Sequence, residues 1–151
     1  MLNKETKKIL KEAGWYAGRK INIDKYIAYY KTSEEVIYES VKKFLEEFGC
    51  LNIQASWEIK MLNGEKMVFE NETIINPIFA LEPYSLYAPI EMEIEAGEAI
   101  LIVGVTRSSE YKVAISESGK VYCDRGLLGN DFYEAMNTLC SYRLEGIIDF
   151  E

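Results

Sequence analysis

The sequence contains no histidine among its 151 residues. Histidine is the commonest general base at neutral pH and the commonest metal ligand in proteins. Its absence excludes a Ser-His-Asp triad, a Cys-His dyad and a His-ligated zinc site. Any catalysis would have to use Asp, Glu, Lys, Tyr or Cys, so we predict a protein that is not an enzyme and that holds no cofactor or metal.

Cysteine is also scarce, and long apolar runs are missing. The three cysteines, Cys50, Cys123 and Cys140, are odd in number and widely spaced, which argues against a disulfide framework or a metal cluster. The longest apolar run, residues 99–105, is far too short to cross a bilayer, and the lysine-rich start of the chain is not followed by an apolar signal segment. We therefore expect a cytoplasmic protein with reduced thiols and no membrane association.

Positive charge is in the minority, with 17 Lys and Arg against 25 Asp and Glu and a net charge of −8. Binding to nucleic-acid phosphates needs a basic face, so this balance argues against a nucleic-acid partner. It favours a basic protein partner instead. The charge is uneven: residues 1–32 carry eight basic and three acidic side chains, so the acidic excess lies in the rest of the chain.

The chain has no linker or repeat, and its length suits a single domain over residues 1–151. Apolar spacing predicts helices over 3–13, 34–48 and 132–140, with a short helical turn over 24–30. Thr32 or Ser33 would cap the second of these helices and Gly49 would follow it, while Asn130 or Asp131 would cap the last. Residues 84–96 fit either a helix or a strand, and we favour the helix.

Strands are predicted over 51–57, 99–105, 111–116 and 120–123. Asn63-Gly64 predicts a type I′ turn joining strands 59–62 and 66–70 into a hairpin. Gly126 and Gly129 indicate a loop before the last helix. For the tail beyond that helix, the sequence is consistent with packing back on the domain and with fraying at its acidic end.

The order of several short motifs resembles the SUKH superfamily, also called SMI/KNR-like. Residues 14–19 read GWYAGR, which fits a GWxxGR motif, and residues 44–51 read FLEEFGCL. Ile102-Val103-Gly104, the turn at residues 118–122 and Gly129 follow in the same order. The match covers about residues 9–140 and is nearest to the subgroup that has GWxxGR near the N-terminus. The family commonly has Gly-Gly-Leu where this chain has Gly49-Cys50-Leu51.

The resemblance implies an α+β fold, in which helices pack on a central, mostly antiparallel sheet. It also implies a bacterial immunity protein that binds and neutralises a polymorphic toxin, often a nuclease or a deaminase, without catalysis or cofactor. The motif residues that it places in the fold are Gly14, Trp15, Gly18, Arg19, Phe48, Gly49, Leu51, Gly104 and Gly119.

Two interpretations of the GWxxGR segment stay open. In the structural one, Trp15 fills the edge of the core and Arg19 pairs with a carboxylate on the second long helix. In the functional one the segment faces a partner, because Trp and Arg are favoured in binding hot spots.

An acidic strip is the main candidate for partner binding. Four carboxylates lie within eight residues, at Glu91, Glu93, Glu95 and Glu98, and Glu70, Glu72 and Glu82 would extend the strip if the fold brings them near. The strip is either a solvated face or an imitation of nucleic-acid phosphates for a basic toxin. Its spacing does not match a calcium-binding loop, and a glycosidase pair would need a cleft that a sequence does not reveal.

Tyrosine, with 11 residues, offers a second candidate surface. Tyr84 and Tyr87 form one cluster and residues 26–30 another; both fit the margin of a core or a recognition surface. The sequence thus predicts a toxin-binding immunity protein, with an interaction adaptor of the same fold as the main alternative and a small-molecule binder or enzyme as a third. It leaves the oligomeric state open.

Overall fold

The structure of the chain is a computed structural model, and it describes residues 1–81 and 90–148; for Leu81, Ile90, Glu91 and Ile148 it describes the backbone alone. Seven helices lie in these ranges: α1 Lys4–Glu12, α2 Asp24–Thr32, α3 Glu39–Phe48, α4 Pro77–Leu81, α5 Ile90–Ala96, α6 Phe132–Leu139 and α7 Arg143–Ile148. The predicted Tyr84 and Tyr87 and the side chain of Glu91 lie outside the described residues, as does Glu82.

Six strands form one sheet: β1 Asn52–Lys60, β2 Lys66–Ile74, β3 Ile100–Thr106, β4 Tyr111–Ser116, β5 Val121–Cys123 and β6 Gly126–Gly129. They are ordered β1-β2-β3-β4-β5-β6, and every neighbouring pair is antiparallel. Helices α4 and α5 lie in the connection between β2 and β3. This arrangement confirms the predicted α+β fold with helices on an antiparallel sheet.

The hydrophobic core lies between the helices and the middle of the sheet. All seven residues of β3 are buried, so this strand is covered on both faces. The Tyr30 hydroxyl of α2 donates to the carbonyl of Ile102 at 2.5 Å, and the rings of Phe44 in α3 and Phe132 in α6 meet edge to face at 5.1 Å. Buried residues from Leu2 to Leu144 belong to one hydrophobic cluster.

A buried polar network lies where β2, β3 and the end of α6 meet. The side-chain amide of Asn71 donates to Thr106 Oγ1 at 3.0 Å and to the carbonyl of Leu139 at 3.3 Å. The Asn71 side-chain carbonyl accepts from the backbone N–H of Arg107 at 2.9 Å. Because buried polar groups are costly when unpaired, this network favours one register of β2 against β3.

The predicted start of α3 is wrong. Residues 33 and 34 end α2 instead: the backbone N–H groups of Ser33 and Glu35 both bond the carbonyl of Tyr30, and Glu34 has φ 58°. A left-handed residue followed by such a bond is how helices commonly end. Helix α3 begins only at Glu39, after Tyr38 in an extended conformation.

Two local predictions between strands are also wrong. Gly126 and Gly129 are the first and last residues of strand β6 and do not form the predicted loop. An added Cβ at Gly129 would lie 2.4 Å from the backbone nitrogen of Ala135, so only glycine lets α6 approach so closely.

In the β1–β2 hairpin, the N–H of Gly64 bonds the carbonyl of Met61, and of the two residues Asn63 and Gly64 only Gly64 has positive φ. The turn is therefore a longer loop and not type I′.

Other predictions agree with the structure. The ambiguous segment is helical over Ile90–Ala96, and Asp131 caps α6 by accepting from the N–H of Glu134 at 2.9 Å. The tail folds back as α7, whose Leu144 is buried. Within the described residues, none of the helices has the length and apolar character needed to cross a membrane.

Candidate functional site

The GWxxGR segment holds the C-terminal end of α3. Arg19 Nη1 and Nη2 donate to the backbone carbonyls of Glu47 and Gly49 at 2.5 and 2.8 Å. These carbonyls end the helix without an intrahelical partner, and a cation is favoured at this end of the helix dipole. The expected pairing of Arg19 with a carboxylate is therefore wrong: the guanidinium binds main-chain oxygens.

Glu47 is fixed by two aromatic side chains at the same place. Its carboxylate accepts from the indole N–H of Trp15 at 2.9 Å and from the hydroxyl of Tyr133 in α6 at 3.0 Å. Trp15 is only 6% exposed. Burial and the hydrogen bond to Glu47 raise the pKa of Tyr133. The indole N–H of Trp15 and both terminal nitrogens of Arg19 thus have partners inside the protein, which supports the structural interpretation.

The turn after α3 depends on two small residues. An added Cβ at Gly49 would lie 2.4 Å from the carbonyl oxygen of Leu45 and 3.1 Å from the Tyr26 ring. Gly49 itself has φ −60°, and it is Cys50 that adopts φ 64°. The left-handed residue of this turn is therefore Cys50, and the hydroxyl of Tyr26 lies 2.7 Å from its Sγ.

The remaining motif residues also have places in the fold. Phe48 and Leu51 are buried at the end of α3. Gly104 sits at an irregularity in β3, where an added Cβ would lie 2.3 Å from the carbonyl oxygen of Ile74. Gly14, Gly18 and Gly119 lie in turns.

The predicted acidic strip is divided by the structure. Glu93 and Glu95 are exposed on α5. The carboxylate of Glu98 accepts from the backbone N–H and hydroxyl of Ser118, at 2.5 and 2.8 Å, and these bonds, first the backbone one, lower the pKa of Glu98. Glu98 therefore stabilises the β4–β5 turn.

Glu70 and Glu72 do not extend the strip. They lie on β2, and β3 and β4 separate β2 from β5, the strand that α5 contacts. At the usual strand spacing this distance is about 14 Å. Glu72 also accepts from the side-chain amide of Gln54 at 2.6 Å, and Glu70 lines a groove beside α1.

A different acidic cluster forms around Tyr38, the residue before α3. Burial raises the pKa of Tyr38, and the charges of Glu117, Glu35 and Glu93 raise it further. Burial and the charge of Glu93 also raise the pKa of Glu35. We call Glu35, Glu93 and Glu117, together with Tyr38, the acidic face.

Three separate parts of the chain meet at the acidic face. Glu35 follows α2, Glu93 lies on α5 and Glu117 follows β4, whose last residue, Ser116, accepts at its carbonyl from the hydroxyl of Ser40 in α3 at 2.9 Å. Within the described part of the chain, the three carboxylates have no hydrogen bond or ion pair. Val36 and Ile94, the chain neighbours of Glu35 and Glu93, are 70% and 74% exposed.

The sequence identified one member of the acidic face, Glu93. The sequence places Glu35 in the first turn of the helix predicted over 34–48 and gives no role to Glu117, and neither residue is close to Glu93 along the chain. Only the order of the strands and the position of α5 bring them together. Val36 fits the apolar stripe of the helix predicted over 34–48 and only the structure shows it exposed, so the sequence offers no signal of this face.

Concave sites for a small molecule are shallow in the described residues. A groove of about 410 Å³ between α1 and the β1–β2 hairpin is lined by Glu5, Glu12, Glu70 and Lys8 among others, and it is open to solvent. Across residues 1–81 and 90–148, no group of three or more Cys, Asp or Glu side chains is arranged to hold a metal ion.

Comparison with known proteins then gives the family. The model of the SUKH-3 immunity protein family matches residues 2–142. The chain belongs to the SUKH-3 immunity protein family. This family implies a role in toxin immunity and a cognate toxin as partner, and its members are generally not catalysts. Assignment to the GWxxGR subgroup stays a prediction. The chain matches no curated protein and no solved structure.

Proposed function

We propose that this SUKH-3 protein neutralises a basic cognate toxin, of nuclease or deaminase type, by covering its active site with the acidic face. The observation that carries the proposal is the crowding of Glu35, Glu93 and Glu117 around Tyr38 without partners in the described residues. Burial and the charge of Glu93 raise the pKa of Glu35, so keeping this carboxylate charged at neutral pH costs stability. Proteins commonly accept such a cost at functional sites.

The composition of the acidic face suits a protein partner. Carboxylates would oppose the basic residues with which a nuclease or deaminase holds nucleic acid, and so speed encounter and select the right partner. The exposed Val36 and Ile94 and the half-buried Tyr38 offer apolar contact area beside these charges. The protein would act by stoichiometric occlusion, without any catalytic step or cofactor.

Co-expression with the protein encoded by the neighbouring gene, the candidate toxin, tests the proposal. We expect the natural chain to restore growth and to co-purify with the toxin as a one-to-one complex. A variant carrying Glu35→Gln, Glu93→Gln and Glu117→Gln should lose rescue while it remains folded. If the neighbouring protein is harmless and does not co-purify, the adaptor interpretation replaces immunity. If the triple variant protects fully, immunity stands and the acidic face is the wrong surface.

A further inference from the structure

The β1–β2 hairpin extends beyond the rest of the sheet. Strand β2 pairs with β3 only at Ile74 and Val105, so residues 57–69 project as a two-stranded arm. One face of the arm is apolar: Trp57 and Phe69 stack with ring centroids 6.3 Å apart, and Ile59 and Met67 follow on the same face. Around the tip, Leu62 is fully exposed, and Met61 and Met67 are largely exposed.

Strand β1 is also an edge of the sheet, and its free backbone groups can be assigned. The N–H of Ile75 bonds the carbonyl of Leu51, and the N–H of Met61 bonds the carbonyl of Glu65. In an antiparallel pair hydrogen-bonded positions alternate, so the odd-numbered residues of β1 bond β2. The N–H and C=O groups of even-numbered residues, including Glu58 and Lys60, therefore point to the open edge.

Helix α1 flanks only the first half of this edge. Its residues Ile9 and Glu12 share a groove with Gln54, Ala55 and Ser56 of β1. In the second half of the edge, Glu58 and Lys60 are exposed. A free edge strand of this kind is a template for pairing with another strand.

We propose that residues 57–60 of β1 and the adjoining Met61 pair antiparallel with the same residues of a second copy, forming a two-fold symmetric dimer with a continuous sheet. With Ile59 opposite Ile59 of the other copy, Glu58 lies opposite Lys60 and Lys60 opposite Glu58. These two pairs are even-numbered, so their free N–H and C=O groups bond each other. The two Ile59 residues on the two-fold axis then form a non-hydrogen-bonded pair. This is consistent with the fold, because the N–H and C=O groups of Ile59 already bond β2.

The second copy fits this edge better than an unrelated strand for two reasons. In that register each Glu58 lies opposite a Lys60 of the other copy. No other register that centres on the open half of β1 brings these opposite charges together. On the opposite face, the half-buried Trp57 lies across from Met61 of the other copy, so the apolar face of each arm continues onto that of the other. The contact involves few residues, so we expect a weak dimer that forms with rising concentration.

Charge-swap variants test the register. Sedimentation velocity of the natural chain over a concentration series should show a monomer–dimer equilibrium. Glu58→Lys or Lys60→Glu alone places like charges opposite each other and should weaken the dimer about tenfold. The double swap should restore it, and an equimolar mixture of the two single variants should form a heterodimer. A strictly monomeric natural chain, or a dimer indifferent to these changes, would overturn the proposal.

Disulfide trapping gives a second readout that does not depend on charge. Ile59→Cys places two thiols on the two-fold axis at a non-hydrogen-bonded pair, where side chains approach closely enough for a disulfide. We expect a covalent dimer under mild oxidation. Glu58→Cys is the matched control, since its thiol faces Lys60, and the natural chain controls for Cys50. Equal cross-linking of all three would contradict the register. If instead the natural chain is already monomeric and Glu58→Lys abolishes toxin binding, the edge serves a partner strand and not a second copy.

Discussion

The end of α3 and the acidic face both concentrate charged side chains, but they treat those charges in opposite ways. At the end of α3, Arg19 binds two main-chain carbonyls and Glu47 binds Trp15 and Tyr133. On the acidic face, burial and the charge of Glu93 raise the pKa of Glu35, and the three carboxylates have no hydrogen bond or ion pair in the described residues. The first region uses its charge to stabilise the fold, and we propose that the second leaves its charge for a partner.

Breaking the α3 end should have the largest effect on stability. Gly49→Ala would push a Cβ against the carbonyl of Leu45, and we expect the free energy of unfolding to fall by about 3 kcal/mol or more. Urea denaturation measures the change. Cys50→Gly is the matched control at the next position: it relieves a positive φ but loses the contact with Tyr26, so it should change stability by less than about 1 kcal/mol. Equal losses would show that the close approach at Gly49 is unimportant.

Removing Arg19 should have the next largest effect. Arg19→Ala leaves the carbonyls of Glu47 and Gly49 without their donor, and we expect a loss of about 2 kcal/mol in urea denaturation. Lys20→Ala next to it removes only an exposed pair with Glu46 at 3.8 Å and should cost less than about 1 kcal/mol. Folded Arg19→Ala protein should still bind the toxin with the natural affinity. Weaker binding by the folded variant would place the GWxxGR segment in the interface after all.

Reversing one charge on the acidic face should affect binding and leave stability nearly unchanged. Glu93→Lys should slow association with the toxin about tenfold at low ionic strength, because it places a cation where a basic partner approaches. Glu12→Lys on α1 makes the same change in net charge elsewhere. Stopped-flow or surface-based kinetics compare the two, and equal slowing would assign the effect to net charge and not to this face.

The smallest effect concerns pH. Because burial and Glu93 raise the pKa of Glu35, the folded protein holds that proton more tightly than the unfolded chain, whose pKa is near the ordinary 4.5. The stability so contributed is present below pH 4.5 and is lost as the pH rises through the folded pKa. The Glu35→Gln variant lacks this loss. Between pH 4 and pH 7 its free energy of unfolding should therefore rise relative to that of the natural chain, by less than about 1 kcal/mol. If the unfolding temperatures of the Glu35→Gln variant and the natural chain change with pH in parallel, the crowding of charges around Glu35 is contradicted.

The sequence anticipated the parts of the fold in which local pattern and packing agree. Helix α1 and strands β3 to β5 follow from apolar spacing, and Asp131 is a conventional cap. The start of α3 was misplaced because Glu34, a poor candidate for positive φ, ends α2. Strand β6 was missed because its glycines serve a close contact with α6, which no local pattern reveals. The acidic face was missed for the related reason that its members come from three distant segments.

The most direct test of the account is the salt dependence of toxin association. The natural chain is compared with the Glu35→Gln, Glu93→Gln, Glu117→Gln variant and with a control of equal charge change on α1 and the β1–β2 loop, Glu5→Gln, Glu12→Gln, Glu65→Gln. We predict that the association rate of the natural chain and the control falls steeply with ionic strength, whereas the acidic-face variant associates slowly at every salt concentration. An acidic-face variant that behaves as the natural chain does would contradict the assignment of this face to the toxin.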